Sequence, residues 1–157
     1  MIRKHNGVKY MFFWGGCLSN WHISPFVVNG IEYNCGEQYM MHQKAILFND
    51  KQTASEIMKA YVPKKQKELG RKIKNFDTAV WDSVKYNIVK AGLLEKFKQN
   101  EDLKLFLSTN KDCQMVEASP FDRIWGIGFN EMDAIDNINM WGENLLGKIL
   151  TEISKEI

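Results

Sequence analysis

A chain of 157 residues, 45% hydrophobic and 25% charged, has the size and make-up of one ordinary globular domain, which excludes a disordered tail or a fibre. Its formal net charge of +2 is too small to identify a nucleic-acid clamp by itself. Aromatic residues at 12%, five of them Trp, suit a pocket that stacks flat rings and suit a well-filled core equally well.

The first third of the chain reads as short strands and loops. Val8 to Trp14 is apolar and aromatic and stops at Gly15-Gly16. Phe26-Val27-Val28 and Ile31-Glu32-Tyr33 flank Asn29-Gly30, the strongest short hairpin signal. From Gly36 onward helical patterns dominate. Asp77 is placed to N-cap a long helix in which Val80, Trp81, Val84, Ile88 and Val89 recur at helical spacing. Asp102 to Leu107 reads as a short helix and Ile124 to Phe129 as a short strand. Leu145, Leu146, Ile149, Leu150 and Ile153 stripe a C-terminal helix. The expected architecture is a helix-rich α+β single domain over residues 1–157 with a small, mainly antiparallel β-sheet.

Cysteine and histidine usage points away from a metal centre. Cys17, Cys35 and Cys113 are odd in number and far apart, and His5, His22 and His42 lack ligand spacing. The thiols are expected to be reduced, in a cytoplasmic protein. Lys9 and the glycines after it interrupt any signal-peptide core, and no apolar run reaches the length of a membrane span.

The most informative segment is Glu37 to Phe48. Read as a helix at 100° per residue, it sets Glu37 and Lys44 about 20° apart. Both fall within an apolar arc made by Met40, Met41, Ala45, Leu47 and Phe48. An amphipathic helix keeps its charges opposite that arc, and a buried charge is costly unless paired or used. The pair is therefore a site candidate. The competing reading is that Lys44 snorkels to the edge while Glu37 serves the helix dipole.

A second segment, Glu117-Ala-Ser-Pro-Phe-Asp122-Arg123-Ile-Trp125-Gly126-Ile-Gly128, mixes charges with a Trp in what reads as a buried turn and strand. Asp122 and Arg123 are either functional or a structural ion pair. Gly126 and Gly128 make a lone G-x-G with no third glycine, a weak dinucleotide signal that close backbone packing explains as well. There is no Walker sequence, so any phosphate falls to side chains such as Lys67, Arg71 or Arg123, or to amides at a helix N-terminus. The run Lys64-Lys65-Gln66-Lys67…Arg71-Lys72 reads as a solvated face or a binding face.

In order and spacing these segments resemble the NADAR (YbiA-like) family. The resemblance runs through Ser19-Asn20-Trp21, Pro25-Phe26, Glu37-Gln38-Tyr39 with Gln43-Lys44-Ala45, and Leu69-Gly70-Arg71. It continues through Trp81-Asp82 with Lys85, Lys96-Phe97 with Gln99-Asn100, the Glu117 to Gly128 segment, and Trp141-Gly142 with Asn144-Leu-Leu-Gly147. What it implies is hydrolysis of an N-glycosidic bond to ribose. The substrate it implies is either ADP-ribose on guanine in nucleic acid or a ribosylamino-pyrimidine phosphate of riboflavin synthesis. It puts Glu37, Lys44 and Asp122 in catalytic positions, and Asn20, Arg71, Trp81, Arg123, Trp125 and Gly126 in substrate-binding ones. Gln38 stands where many relatives have His, and Trp21 where many have Phe, departures that bear on substrate preference.

The residue types fit such chemistry. Departure of an amine from C1 of ribose builds oxocarbenium character that a carboxylate stabilises. A carboxylate also deprotonates water, and a second one protonates the leaving nitrogen if its pKa is raised. Trp81 and Trp125 offer flat walls for a base. A lysine instead adds to the sugar aldehyde as an imine, for which the apolar setting of Lys44 lowers its pKa. The expectation is an N-glycosidase with no metal or redox cofactor, acting on a ribosylated small molecule or ADP-ribosylated nucleic acid. The alternative is a non-catalytic module that binds ADP-ribose or an NAD derivative, which would have no need of Glu37, Lys44 and Asp122 together.

Overall fold

The computed structural model describes all 157 residues and divides them into two units, residues 1–19 with 102–157 and residues 20–101. No helix is long and apolar enough to cross a membrane.

The first unit is built on a three-stranded sheet. Strands β1 (Ile2–His5) and β2 (Val8–Phe13) are antiparallel, and β5 (Gln114–Glu117) joins the other edge of β2 in parallel, Tyr10 facing Gln114 and Phe13 facing Glu117. Asn6 and Gly7 turn the β1–β2 hairpin with φ of 50° and 78°. Tyr10, Phe12, Val116, Ala118 and Ile127 form a buried core, against which Trp141 sets its ring edge-on to Tyr10 and Phe12. Helix α5 (Glu101–Thr109) precedes β5, and a short α6 (Glu131–Ala134) runs into a 3-10 turn over Ile135–Met140. Helix α7 (Leu145–Glu156) buries Leu146, Ile149, Leu150 and Ile153 and packs along β5.

Asn144, left-handed at φ 52°, fastens the start of α7 to that strand. Its Oδ1 accepts from the Glu117 amide at 3.0 Å and its Nδ2 donates to the Met115 carbonyl at 3.1 Å.

The expected strand over residues 124–129 does not form. The segment is irregular, because the carbonyls of Ile124, Trp125, Gly126 and Ile127 accept from the amides of Leu145, Leu146, Asn144 and Gly142, in a loop rather than a strand.

The second unit holds the Asn29-Gly30 hairpin, β3 (Phe26–Val28) against β4 (Ile31–Tyr33), and four helices. These are α1 (Gly36–Leu47), α2 (Lys51–Lys59), α3 (Pro63–Gly70) and α4 (Thr78–Gln99). Helix α1 packs on the other three. Two glycines make this possible. A Cβ on Gly70 would overlap the Met41 side chain, and one on Gly92 would overlap the Tyr39 ring, so α3 and α4 approach α1 closely at these glycines. Phe26, Tyr33 and Tyr39 cluster beneath the hairpin, and the Tyr33 hydroxyl pairs with His42 Nδ1 at 2.9 Å. The alternation of short strands and helices is thus an α+β fold, helix-rich, with small sheets.

Candidate active site

Glu37 lies in the first turn of α1 and is 4% exposed. Its amide donates to the Asn20 carbonyl at 2.9 Å, so the chain before the hairpin fixes where the helix begins. Asn20 is itself buried, and its Oδ1 has no hydrogen-bond partner. A Cβ at Gly36 would stand 2.6 Å from that oxygen, which explains the absence of a side chain there.

Two turns along the same face, Lys44 is half-buried. Its ammonium lies 4.5 Å from the centre of the Phe76 ring and 5.9 Å from that of Trp81. Burial pushes the Lys44 pKa down from its ordinary value, the Glu37 charge opposes this, and the Arg71 charge adds to it. The two charges aligned on the helix arc thus act on one another, with aromatic rings beside the cation.

The supporting elements follow from local sequence. Asp77 caps α4, its Oδ1 accepting from the Ala79 and Val80 amides, which sets Trp81 in the first full turn and facing inward at 7% exposure. Phe76, just before that cap, packs edge-on against Phe48 at the end of α1. Arg71 follows Gly70 at the end of α3 and is exposed. Within this unit Lys44 feels the charges of Glu37 and Arg71 and lies beside the Trp81 ring.

Phe76 was not among the expected residues. Its signal is slight: one aromatic ahead of an N-cap. Lys85, one turn beyond Trp81 on the buried face of α4, is also unanticipated as a buried cation; it pairs with Asp82 at 2.7 Å.

Gln38 turns out to be a fastening. It accepts from the Asn34 amide at 2.8 Å and donates toward the Ile57 carbonyl at 3.2 Å, tying α1 to the end of α2. Trp21 is 43% exposed, and the Lys67 ammonium lies 6.0 Å from its ring.

The sheet unit holds the other four residues. Asp122 Oδ1 accepts from the Ile124 amide at 2.8 Å and from the Trp125 amide at 2.9 Å, closing a tight turn. The Arg123 guanidinium donates to the Met140 carbonyl at 2.7 Å and lies 5.9 Å from the Phe129 ring centre. Trp125 is half-buried beside Gly126, where a Cβ would sit 2.8 Å from the Glu117 carbonyl oxygen and 3.0 Å from that of Asp122. Gly128 has φ of +79°, and a Cβ there would meet the Arg123 side chain at 2.6 Å. Close backbone packing thus accounts for Gly126, and a positive φ beside the Arg123 side chain for Gly128. His42, bonded to Tyr33, is an ordinary core histidine.

Comparison with known proteins covers almost the whole chain. The NADAR domain model matches residues 12–157. N-glycosidase R617 of Acanthamoeba polyphaga mimivirus is 42% identical, over 94% of this chain and 96% of its own length. N-glycosidase Npun_R5314 of Nostoc punctiforme is 30% identical over 90% and 85% respectively. The NMR structure of Escherichia coli YbiA superposes with a TM-score of 0.76 at 26% identity, covering 94% of this chain and 83% of that one.

Proposed function

This chain belongs to the NADAR domain family and is a hydrolase acting on N-glycosyl compounds, and on that premise we propose that it releases a base from C1 of ribose at the Glu37–Lys44–Trp81 cluster. The buried Glu37 carboxylate, facing a half-buried lysine between aromatic rings, carries the reading. As the C1–N bond breaks, its electron pair leaves with nitrogen and positive charge grows on C1. A preorganised carboxylate in a poorly hydrated site stabilises that charge. The same carboxylate takes the proton of the attacking water, and the leaving nitrogen gains a proton.

The depressed pKa of Lys44 supports a second route through the same atoms. The neutral amine adds to C1 of the opened sugar, the base leaves with a proton, and water then hydrolyses the iminium and restores the lysine. Trp81 supplies an apolar wall for a flat ring. Arg71, exposed beside Lys44, suits a phosphate. Asp122 enters from its family position, and its Oδ2 takes no part in the turn that Oδ1 closes. The substrate is ADP-ribose on guanine in nucleic acid or a ribosylamino-pyrimidine phosphate. The reading includes a cytoplasmic location, which three free cysteines support.

The deciding experiment incubates the protein with guanine-ADP-ribosylated DNA and, separately, with ribosylamino-pyrimidine phosphates, following the base-side product. Release from one alone names the substrate class. Tight binding of ADP-ribose with no product from either would overturn the reading in favour of a binding module.

A further inference from the structure

The segment that joins α3 to α4, residues 71–77, is irregular yet pinned along its length. It begins at Arg71, which ends α3, and finishes at Asp77, which caps α4. Between them Ile73 is buried, Asn75 is left-handed at φ 59°, and the Phe76 ring packs against Phe48 with centroids 5.2 Å apart. One side chain from outside holds the middle. Buried Asp50 donates its amide to the Ala45 carbonyl at 3.0 Å, at the end of α1. Its Oδ1 accepts from the Thr53 amide at 3.1 Å and its Oδ2 from the Lys74 amide at 2.9 Å. Capping α2 requires only the first of these carboxylate bonds, which a serine or asparagine makes as well. The second reaches 24 residues along the chain, to a point two residues before Phe76. Only a carboxylate offers an acceptor on each side. Hydrogen bonds from Thr53 and Lys74 hold the Asp50 carboxyl below its ordinary range, so both oxygens remain acceptors near neutral pH.

We propose that Asp50 and Phe76 are positioning residues for Lys44: Asp50 sets the depth of the 71–77 segment, and the segment holds the Phe76 ring against the ammonium, keeping Lys44 in line with Glu37. Phe76 is 41% exposed, so core packing alone does not explain its placement, whereas Lys44 stands 4.5 Å over its ring. Trp81 flanks the same cation at 5.9 Å. The two rings lie on either side of the Asp77 cap, and the Asp50 bond fixes the approach to that cap. Lysine is long and flexible, and ordering it costs side-chain entropy that two fixed rings reduce. A reacting group displaced by about 1 Å loses up to about 10²-fold in rate. Both Asp50 oxygens are engaged by amides, so any effect of Asp50 on the reaction passes through the segment it holds. This placement adds two residues to the proposed site, and it rests on the functional reading for what Lys44 then does.

The test joins kinetics to a direct view of the Lys44 side chain. Asp50→Asn keeps the cap on α2 but presents an amide NH₂ to the Lys74 N–H, and Asp50→Ser makes the same separation if the asparagine variant folds poorly. Phe76→Leu keeps apolar bulk and removes the ring. Each is expected to lower kcat by about tenfold while KM moves by less than about twofold, and Phe76→Tyr should keep the wild-type rate. Because the two residues act in series, the Asp50→Asn, Phe76→Leu double variant should be no slower than Phe76→Leu alone. The second readout needs no turnover. In protein carrying isotope-labelled lysine, the Lys44 methylene resonances should be shifted upfield by the Phe76 ring, lose that shift in Phe76→Leu and lose part of it in Asp50→Asn. Rate losses that multiply in the double variant, a wild-type kcat in Phe76→Leu, or a Lys44 signal unmoved in Asp50→Asn would overturn the proposal. The expected Lys44 shifts beside failed glycosidase assays would overturn the functional reading and leave the placement of Lys44 standing.

Discussion

The Lys44 ammonium stands 4.5 Å from the centre of the Phe76 ring, on the helix face that Glu37 opens. A protonated lysine gains from that ring, while burial works against its charge and outweighs the opposing pull of Glu37 on its pKa. Lys44 is thus poised to lose its proton more easily than a surface lysine, and two mechanisms diverge on whether it does. Lys44→Arg keeps the charge and removes the nucleophile. If Lys44 adds to the sugar, the arginine variant is inactive, and borohydride added during turnover fixes the sugar to wild type but not to the variant. Arg71→Gln removes a charge that depresses the Lys44 pKa, so trapping at neutral pH should slow. An active arginine variant with no trapped adduct leaves direct attack by water.

Glu37→Gln should fold normally and lose about 10²-fold or more in kcat, the scale of losing one charge-stabilising group at a transition state. Glutamine preserves the shape of a side chain that is almost wholly buried, and the main-chain bond from Glu37 to Asn20 at the helix start survives the substitution. The check is single-turnover kinetics beside circular dichroism. A wild-type rate would remove Glu37 from the chemistry.

Asp122 offers a clean separation of structure from function. Asparagine retains an oxygen that accepts from the Ile124 and Trp125 amides, so Asp122→Asn should melt close to wild type. If the negative charge takes part in the reaction, activity falls all the same. Asp122→Ala instead leaves two amides without their acceptor and should lower the melting temperature, at about 1–2 kcal/mol. Full activity in Asp122→Asn would reduce Asp122 to a turn residue.

His42 predicts how stability responds to acid. Burial holds its pKa below the ordinary 6.5, so the unfolded chain takes up the proton first. Its contribution is fully present above that value and is lost as pH falls through it toward the folded pKa. Urea midpoints at about pH 7.5 and about pH 5.5 should therefore differ more for wild type than for His42→Asn. Equal differences would mean that another group governs acid sensitivity.

Much of the site was legible because helical spacing is a strict ruler. The angle between Glu37 and Lys44 follows from counting, and the Asp77 cap fixes where Trp81 falls. The Asn29-Gly30 hairpin announced itself through turn chemistry. The Asn6-Gly7 turn carries the same signal and makes the same kind of hairpin, but its strand Ile2–His5 is too polar to stand out. Ile124 to Phe129 looked like a strand because apolar residues alternate with glycine there. Its carbonyls are instead taken by the amides around Asn144, a partner no local pattern names. Phe76 and the glycines at 70 and 92 matter only once it is known which helix crosses which.

The parallel pairing of β2 with β5 has a consequence for synthesis on the ribosome. Phe13 emerges about a hundred residues before Glu117, its partner across the strands, and the whole of residues 20–101 is made in between. The helical unit is complete in sequence while β2 still lacks one edge, and the Asn144 fastening arrives later again. The sheet is the last part of this enzyme to close, and until then its hairpin offers an open strand to any neighbour.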